Sequence, residues 1–310
     1  MAFLRAFGRH VPERVVGNLE LAQRLGCDAD WIFSASGILE RRWSDPSETV
    51  VDLAELAARD CLKRAAGDPA EIGLLMVSSG SGERRFPGPA AEIGARLGIP
   101  GVPAIDIPMA SAGSLFAMAL GAHLSASYGR VLVVAAEKMS AVINGAALDR
   151  NTAILFGDGA GACLIDPQQG AARIVDSCLH SDGAFASDLR LEFDQPLHMN
   201  GRAVILQVSR KLPGVIRELL DRAGQPAASI DAFLMHQANQ NLIVRVAQAL
   251  DVAPEKFFSN IARYGNTSSA SMLIAASEWS ESVGFRAGAP VVFAGFGAGF
   301  HWGALLAIGS

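Results

Sequence analysis

Residues 104–123 read AIDIPMASAGSLFAMALGAH, and the change of pattern inside this stretch decides the fold. Val102 to Ile107 is a short apolar run closed by Pro108, the profile of a buried strand. From Ser111 onward, small residues give way to Leu115, Phe116, Met118, Ala119 and Leu120, which predicts a buried helix with Ser111 as its first or second residue. Strand, tight turn and helix in that order put a hydroxyl beside unpaired N–H groups and the positive end of a helix dipole. The geometry suits a nucleophile that accepts an acyl group, and it equally suits a serine that only caps the helix.

Outward from this centre, strands and helices alternate. Phe3 to Gly8, Leu74 to Ser79 and Arg130 to Ala136 read as strands, and Thr49 to Ala66 as a helix with Val50, Leu53, Ala54, Ala57 and Cys61 at helical spacing. Leu19 to Leu25 and Asp30 to Gly37 read as short helices, while Ala153 to Phe156 and Gly161 to Ile165 bracket the turn GDGAG. Beyond Asp166-Pro167 the order recurs: strand Ala172 to Leu179, helix Arg202 to Gly224, strand Ala232 to Met235 running into the helical HQANQNLIVRVAQAL. Strand Phe257 to Ile261, helix Ser268 to Val283 and a hairpin of Pro290 to Gly295 with Gly303 to Ile308 complete it. The expected architecture is a duplicated α/β unit, residues 1–166 and 167–310, with two sheets sharing one core.

Composition narrows the function classes. Of 310 residues, 50% are hydrophobic and 18% charged, enough apolar material for a large core. A net charge of −5 argues against nucleic acid or an anionic membrane surface as the main partner. Cys27, Cys61, Cys163 and Cys178 are scattered without a CxxC pair or a nearby histidine, so neither a disulfide framework nor a metal site is expected, and a reducing cytoplasm fits. The opening MAFLRAFGRHVPE has no apolar run long enough for a signal peptide, and no window approaches a transmembrane span.

Four further clusters could carry chemistry. His236, in LMHQAN, follows an apolar strand at the end where α/β folds place their sites, although a lone histidine is commonly structural. Asn266, in YGNTSSAS, stands before a buried helix and could equally be a turn residue. Gly295 to Gly303, GFGAGFHWG, would let backbone N–H groups approach a substrate, or simply turn a hairpin. Phe156 to Leu164, FGDGAGACL, has the look of a dinucleotide loop but precedes a strand and lacks the spacing. Met109-Ala110-Ser111-Ala112-Gly113 lacks the first glycine of a hydrolase nucleophile elbow.

Together DIPMASAGS, FGDGAGA, HQAN, YGNTS and FGAGFHWG, in this order and spacing, resemble the β-ketoacyl-acyl carrier protein synthase III family over essentially the whole chain, including DWIFSASGI and ERRFPGPAA. The resemblance implies the thiolase fold, two similar halves in five layers α-β-α-β-α, in a homodimer. It implies that the family's Cys-His-Asn set falls on Ser111, His236 and Asn266, with backbone N–H groups of Ser111 and Ala298 as an oxyanion hole. Trp31 and Arg150 match the adenine-stacking pair for coenzyme A, and Phe86 matches the residue that caps the partner's acyl tunnel. Acyl-CoA is implied as substrate and malonyl-carrier protein or malonyl-CoA as second substrate, with no cofactor.

Two features depart from the family. A serine stands where the family has its nucleophilic cysteine; a hydroxyl is not ionised by a helix terminus and needs a base, for which His236 is the candidate. The cationic carrier-docking patch is replaced by Leu206, Asn241, Gln248 and Ala249, with Arg202, Arg210, Lys211 and Arg245 available for a shifted one. The expected activity is therefore acyl loading on Ser111 followed by decarboxylative condensation. The alternatives are a non-condensing acyltransferase passing the acyl group to an alcohol, amine or carrier protein, and a non-catalytic partner subunit.

Overall fold

The run IGLLMVS at 72–78 has no alternation of polar and apolar residues; in the computed structural model, which describes residues 1–144, 149–192 and 195–310, it is a strand buried on both faces. With it pair the other strands of the first half: β1 (Ala2–His10), β2 (this run, Ile72–Ser78), β3 (Ala104–Ile107), β4 (Arg130–Glu137) and β5 (Gly159–Asp166). Their order in the sheet is β3-β2-β4-β5-β1, with β3 and β4 parallel to β2 and β5 antiparallel to both β4 and β1. The second half supplies β6 (Ala172–Ser181), β7 (Ala232–Met235), β8 (Phe257–Phe258), β9 (Pro290–Gly297) and β10 (His301–Gly309), ordered β8-β7-β9-β10-β6 with the same directions. Both halves thus repeat one topology.

The two sheets are joined as well as stacked around a core. Antiparallel pairing of β1 with β6, at Ala2–Ile174, Phe3–Arg173 and Leu4–Ala172, makes one hydrogen-bonded ladder of ten strands among the described residues.

Helices fill the layers according to how their apolar residues are distributed. α3 (Val50–Arg64) is amphipathic and opens with a reciprocal cap, Thr49 Oγ1 accepting from Asp52 N–H while the Asp52 carboxylate accepts from Thr49 N–H. With α4 (Ala90–Arg96) it covers the outer face of the first sheet, Leu53, Ala57 and Cys61 meeting Leu75, Val77 and Val134. α5 (Gly113–Tyr128) and α8 (Ser271–Ser282) are apolar on nearly every side, so they lie between the sheets, where Leu115, Met118 and Leu273 pack against Met76, Val133, Leu234 and Phe293. α6 (Gly201–Arg222) and α7 (Gln240–Leu250) cover the outer face of the second sheet through Leu212, Ile216 and Val246 on Phe233, Val292 and Leu306. The layers therefore run α-β-α-β-α. A smaller cluster of Val16, Leu21, Ile32, Trp43, Ile154 and Phe156 ties α1 (Asn18–Leu25) and α2 (Ala29–Ser36) to Met139, Ile143 and residues 154–156.

Two local expectations are corrected. Ser111 does not begin the helix: α5 starts at Gly113, Ala112 is its N-cap, and Ser111 has φ 63° in the left-handed region. Phe257 to Ile261 is extended only over Phe257–Phe258, because a helical turn begins at Ile261 and runs to Tyr264. Before the GDGAG turn, Asp149 accepts from Asn151 N–H and Thr152 Oγ1 and so caps a helical turn Arg150–Ala153, while Phe156 makes a bridge to Asn266.

Candidate active site

The segments that carry Ser111, His236, Asn266 and Ala298 follow β3, β7, β8 and β9, strands with parallel neighbours, and leave their C-terminal ends, the place where open α/β sheets build sites. After β3 the chain turns tightly, with Ala112 N–H donating to Ala110 C=O at 2.7 Å around the left-handed Ser111. A non-glycine residue held this way stores strain of order 1–3 kcal/mol, and it persists only where packing dictates it. Here two glycines allow the packing. A Cβ on Gly113 would sit 2.0 Å from Ser78 Oγ, and one on Gly297 would sit 2.2 Å from Ala110 O. The end of β9 therefore presses directly on the turn that holds Ser111.

From the second half come His236, following β7, and the run TSSAS at 267–271, which the sequence reading did not single out. Ser268, itself left-handed at φ 47°, touches each of the three motif residues. Its Oγ accepts from Ser111 N–H at 3.0 Å, its N–H donates to Asn266 Oδ1 at 2.9 Å, and its carbonyl faces the His236 ring. With Oδ1 occupied, Asn266 presents Nδ2 as its free donor. The Asn266 backbone is held on both sides, its N–H by Leu155 C=O and its C=O by Gly157 N–H, which is what the FGDGAGACL turn contributes. Asp158 in that turn is buried and accepts from Ser44 N–H, Ser140 N–H and Ser140 Oγ. Glu137, at the end of β4, is buried too and is pushed above the usual carboxylate range by desolvation, against which the Ser269, Ser81 and Ser268 hydroxyls act.

Ser111, His236, Asn266, Ser268 and Ala298 line one cavity of about 450 Å³, so the three proposed reacting side chains share a space. Trp31 lies on the same cavity, and the Arg150 guanidinium sits 4.9 Å from the centroid of its indole ring. Of the two expected oxyanion donors, Ala298 N–H has no acceptor among the described residues, whereas Ser111 N–H is taken by Ser268. Phe86 is not brought into this cavity; it stands 85% exposed. Among the cations of the shifted patch, Arg202, Arg210 and Arg245 are exposed, but Lys211 is turned inward, paired with Asp182 at 2.9 Å and 4.0 Å above the Trp302 ring. Asn241 is likewise engaged, donating to Ser34 C=O and Ala35 C=O.

Burial lowers the His236 pKa from 6.5 to about 4, partly offset by the Ser268 carbonyl, so the imidazole is neutral at neutral pH. Its Nδ1 lies 2.6 Å from Ser271 Oγ, which also accepts from Gln237 N–H. Because the folded value lies below the unfolded one, the unfolded chain binds the extra proton between about pH 6.5 and 4. Stability from this group is complete above that window and is lost as pH falls through it, by about 3 kcal/mol in all. Urea unfolding at stepped pH checks this: His236→Gln is expected to flatten the loss between neutral pH and the acid end of the window.

Comparison with known proteins identifies the family. Residues 105–183 match the 3-oxoacyl-[acyl-carrier-protein] synthase III family and residues 220–307 match that family's C-terminal part. The β-ketoacyl-[acyl-carrier-protein] synthase III of Gloeobacter violaceus is 36% identical over 319 residues, covering 97% of this chain and 96% of that protein. The crystal structure of 3-oxoacyl-[acyl-carrier-protein] synthase III from Aquifex aeolicus superposes with a TM-score of 0.95 at 31% identity, covering 99% of this chain and 100% of that one. The priming β-ketosynthase of the R1128 polyketide biosynthetic pathway superposes with a TM-score of 0.92 at 31% identity, covering 100% and 97%. With similarity this extensive and the motif residues gathered at one cavity, the chain belongs to the 3-oxoacyl-[acyl-carrier-protein] synthase III family of acyl-transferring condensing enzymes.

Proposed function

We propose that this chain takes an acyl group from an acyl-CoA onto Ser111 Oγ and condenses it with a malonyl thioester. The observation that supports this most is the shared cavity of Ser111, His236 and Asn266. In the first step neutral His236 accepts the Ser111 proton, the oxygen attacks the thioester carbonyl, the C–S bond breaks, and coenzyme A leaves as the thiol with that proton. Ala298 N–H receives the developing oxyanion, joined by Ser111 N–H once the Ser268 hydroxyl turns away. In the second step the malonyl carboxylate leaves as CO₂ while His236 and Asn266 Nδ2 hold the enolate oxygen. The enolate carbon attacks the Ser111 ester, its C–O bond breaks, and Oγ takes up a proton from solvent, the one proton the two steps together consume. The two steps need opposite roles of the imidazole. Ser271 fits this, because a hydroxyl can either accept from Nδ1 or donate to it and so supports both tautomers.

The malonyl group is carried by a carrier protein or by coenzyme A, and the exposed Arg202, Arg210 and Arg245 are the cations left to meet an acidic carrier. The enzyme works as a homodimer in which Phe86 enters the partner's site; Phe86 at 85% exposure, together with Ile105 on the edge strand β3, gives the apolar surface for it. Release of CO₂ from a malonyl thioester, dependent on a priming acyl-CoA, tests the reading directly. A second reading, transfer from Ser111 to an alcohol, amine or carrier without condensation, is favoured by the serine itself, since an oxygen ester is a poorer electrophile than a thioester. It requires an acyl adduct with no CO₂.

The nucleotide end is tested at Trp31. Loss of base stacking in Trp31→Ala is expected to raise KM for acyl-CoA about tenfold with kcat nearly unchanged. Steady-state kinetics with an acyl-N-acetylcysteamine thioester, which has no adenine, should show no such effect.

A further inference from the structure

We propose that the Ser268 hydroxyl is a placeholder in the oxyanion hole, a latch that a substrate carbonyl must displace before Ser111 N–H can act. That the displacing group is a thioester carbonyl rests on the acylation of Ser111 proposed above. Ser268 Oγ lies 3.0 Å from Ser111 N. A donor keeps about 2.7–3.1 Å to an oxyanion, so the hydroxyl stands where that oxygen would have to be. A backbone N–H carries one hydrogen and serves one acceptor well, so hydroxyl and oxyanion exclude each other. Two left-handed residues make this contact across the halves, Ser111 with φ 63° and Ser268 with φ 47°. The other left-handed residues besides glycine, Ala66 and Asp251, stand at the C-terminal ends of α3 and α7. Ser111 and Ser268 both line the cavity, so the latch faces the place where substrate arrives.

An N–H left without an acceptor in the resting enzyme would be costly, and Ser268 removes that cost. Once displaced, the hydroxyl needs a partner of its own. The buried Glu137 carboxylate accepts from Ser81 Oγ and Ser269 Oγ, each at 2.6 Å, and from Gly80 N–H. The Ser268 hydroxyl acts on the same carboxylate. It therefore keeps a strong acceptor when Ser111 N–H passes to the substrate. Opening the latch gives up one neutral hydrogen bond and orphans no group.

An alkyl trifluoromethyl ketone reads the hole directly. Ser111 Oγ adds to its carbonyl carbon, the π pair moves onto the oxygen as an oxyanion, and the Ser111 proton goes to His236; no group leaves. Fluorine NMR counts the adduct. Ser268→Ala keeps the backbone donor to Asn266 and loses only the hydroxyl. It is expected to bind the ketone about two- to tenfold more tightly, the equivalent of the hydrogen bond no longer surrendered, and to be acylated by acyl-CoA faster by the same factor. Ser268→Gly, which also relieves the left-handed backbone, should show the same gain, and it stands in if the alanine variant melts too low. Weaker binding would mean that the hydroxyl props the hole or donates into it. Unchanged binding would mean that Ser111 N–H stays outside it, and either result overturns the latch. Hydrogen exchange separates this from the acylation reading. The Ser111 amide should exchange at least about tenfold faster in Ser268→Ala than in the wild type, whether or not Ser111 reacts. Faster exchange with no ketone adduct in the wild type leaves the contact standing and removes the nucleophile on which the latch depends. An adduct equally tight in both proteins keeps the nucleophile and removes the latch.

Discussion

Incubated with acyl-CoA, the protein is expected to gain one acyl mass, and Ser111→Ala is expected to gain none and to lose overall turnover by on the order of 10⁴-fold or more. The substitution leaves the turn intact, since alanine accepts the same left-handed backbone as serine and the Ser111 N–H bond to Ser268 does not involve the side chain. The three buried cysteines, Cys61, Cys163 and Cys178, are not set to substitute for it. Burial pushes the Cys61 thiol up to about 12 and Cys178 up to about 11, and raises Cys163 as well, so none of these carries thiolate near neutral pH. An adduct that persists in Ser111→Ala, mapped by peptide mass, would remove the nucleophile assignment.

The companion substitution Ser111→Cys works in the opposite direction. A thiol at this turn, beside a neutral imidazole and two backbone donors, ionises far more readily than a hydroxyl, and its acyl derivative is a stronger electrophile. Condensation is therefore expected to accelerate by at least about tenfold. A slower Ser111→Cys enzyme would mean that the site is built around an oxygen ester, and the non-condensing reading would gain.

Much of the scaffold was legible because its signals are local. Short apolar runs rich in branched residues, such as 74–77 and 131–136, read as strands buried on both faces, and the nearly all-round apolar α5 reads as a buried helix. The left-handed Ser111 was not legible, because nothing in MASAG demands a positive φ; it is imposed by Gly113 against Ser78 and Gly297 against Ala110, contacts between chain segments far apart in sequence. The same holds for Ser268, one serine among several until the fold puts its hydroxyl on Ser111 N–H. Lys211 looked available for a docking patch on charge alone, and only the packing of α6 shows it committed to Asp182 and Trp302. Side-chain chemistry can be read along a chain, but its direction is set by tertiary contacts.

Asn266→Ala is expected to reduce CO₂ release from the malonyl thioester by about 10²- to 10³-fold, the effect of removing one preorganised donor from an oxyanion site, while acylation of Ser111 falls far less. The split follows from where Asn266 stands. Asn266 lines the cavity with Oδ1 already bonded to Ser268 N–H, and its backbone bonds to Leu155 and Gly157 survive the substitution, so the loss is expected to fall on the step that builds an enolate. His236→Ala should impair both steps, because the imidazole takes the Ser111 proton in one and donates in the other. With the His236 pKa lowered to about 4, wild-type CO₂ release should not depend on this group near neutral pH and should fall as pH drops toward that value. Rapid-quench measurement of adduct and CO₂ in the same samples decides it. Equal loss of both in Asn266→Ala would show the carboxamide acting on the first acyl transfer, and a simple acyltransferase would then account for the site better than a condensing enzyme.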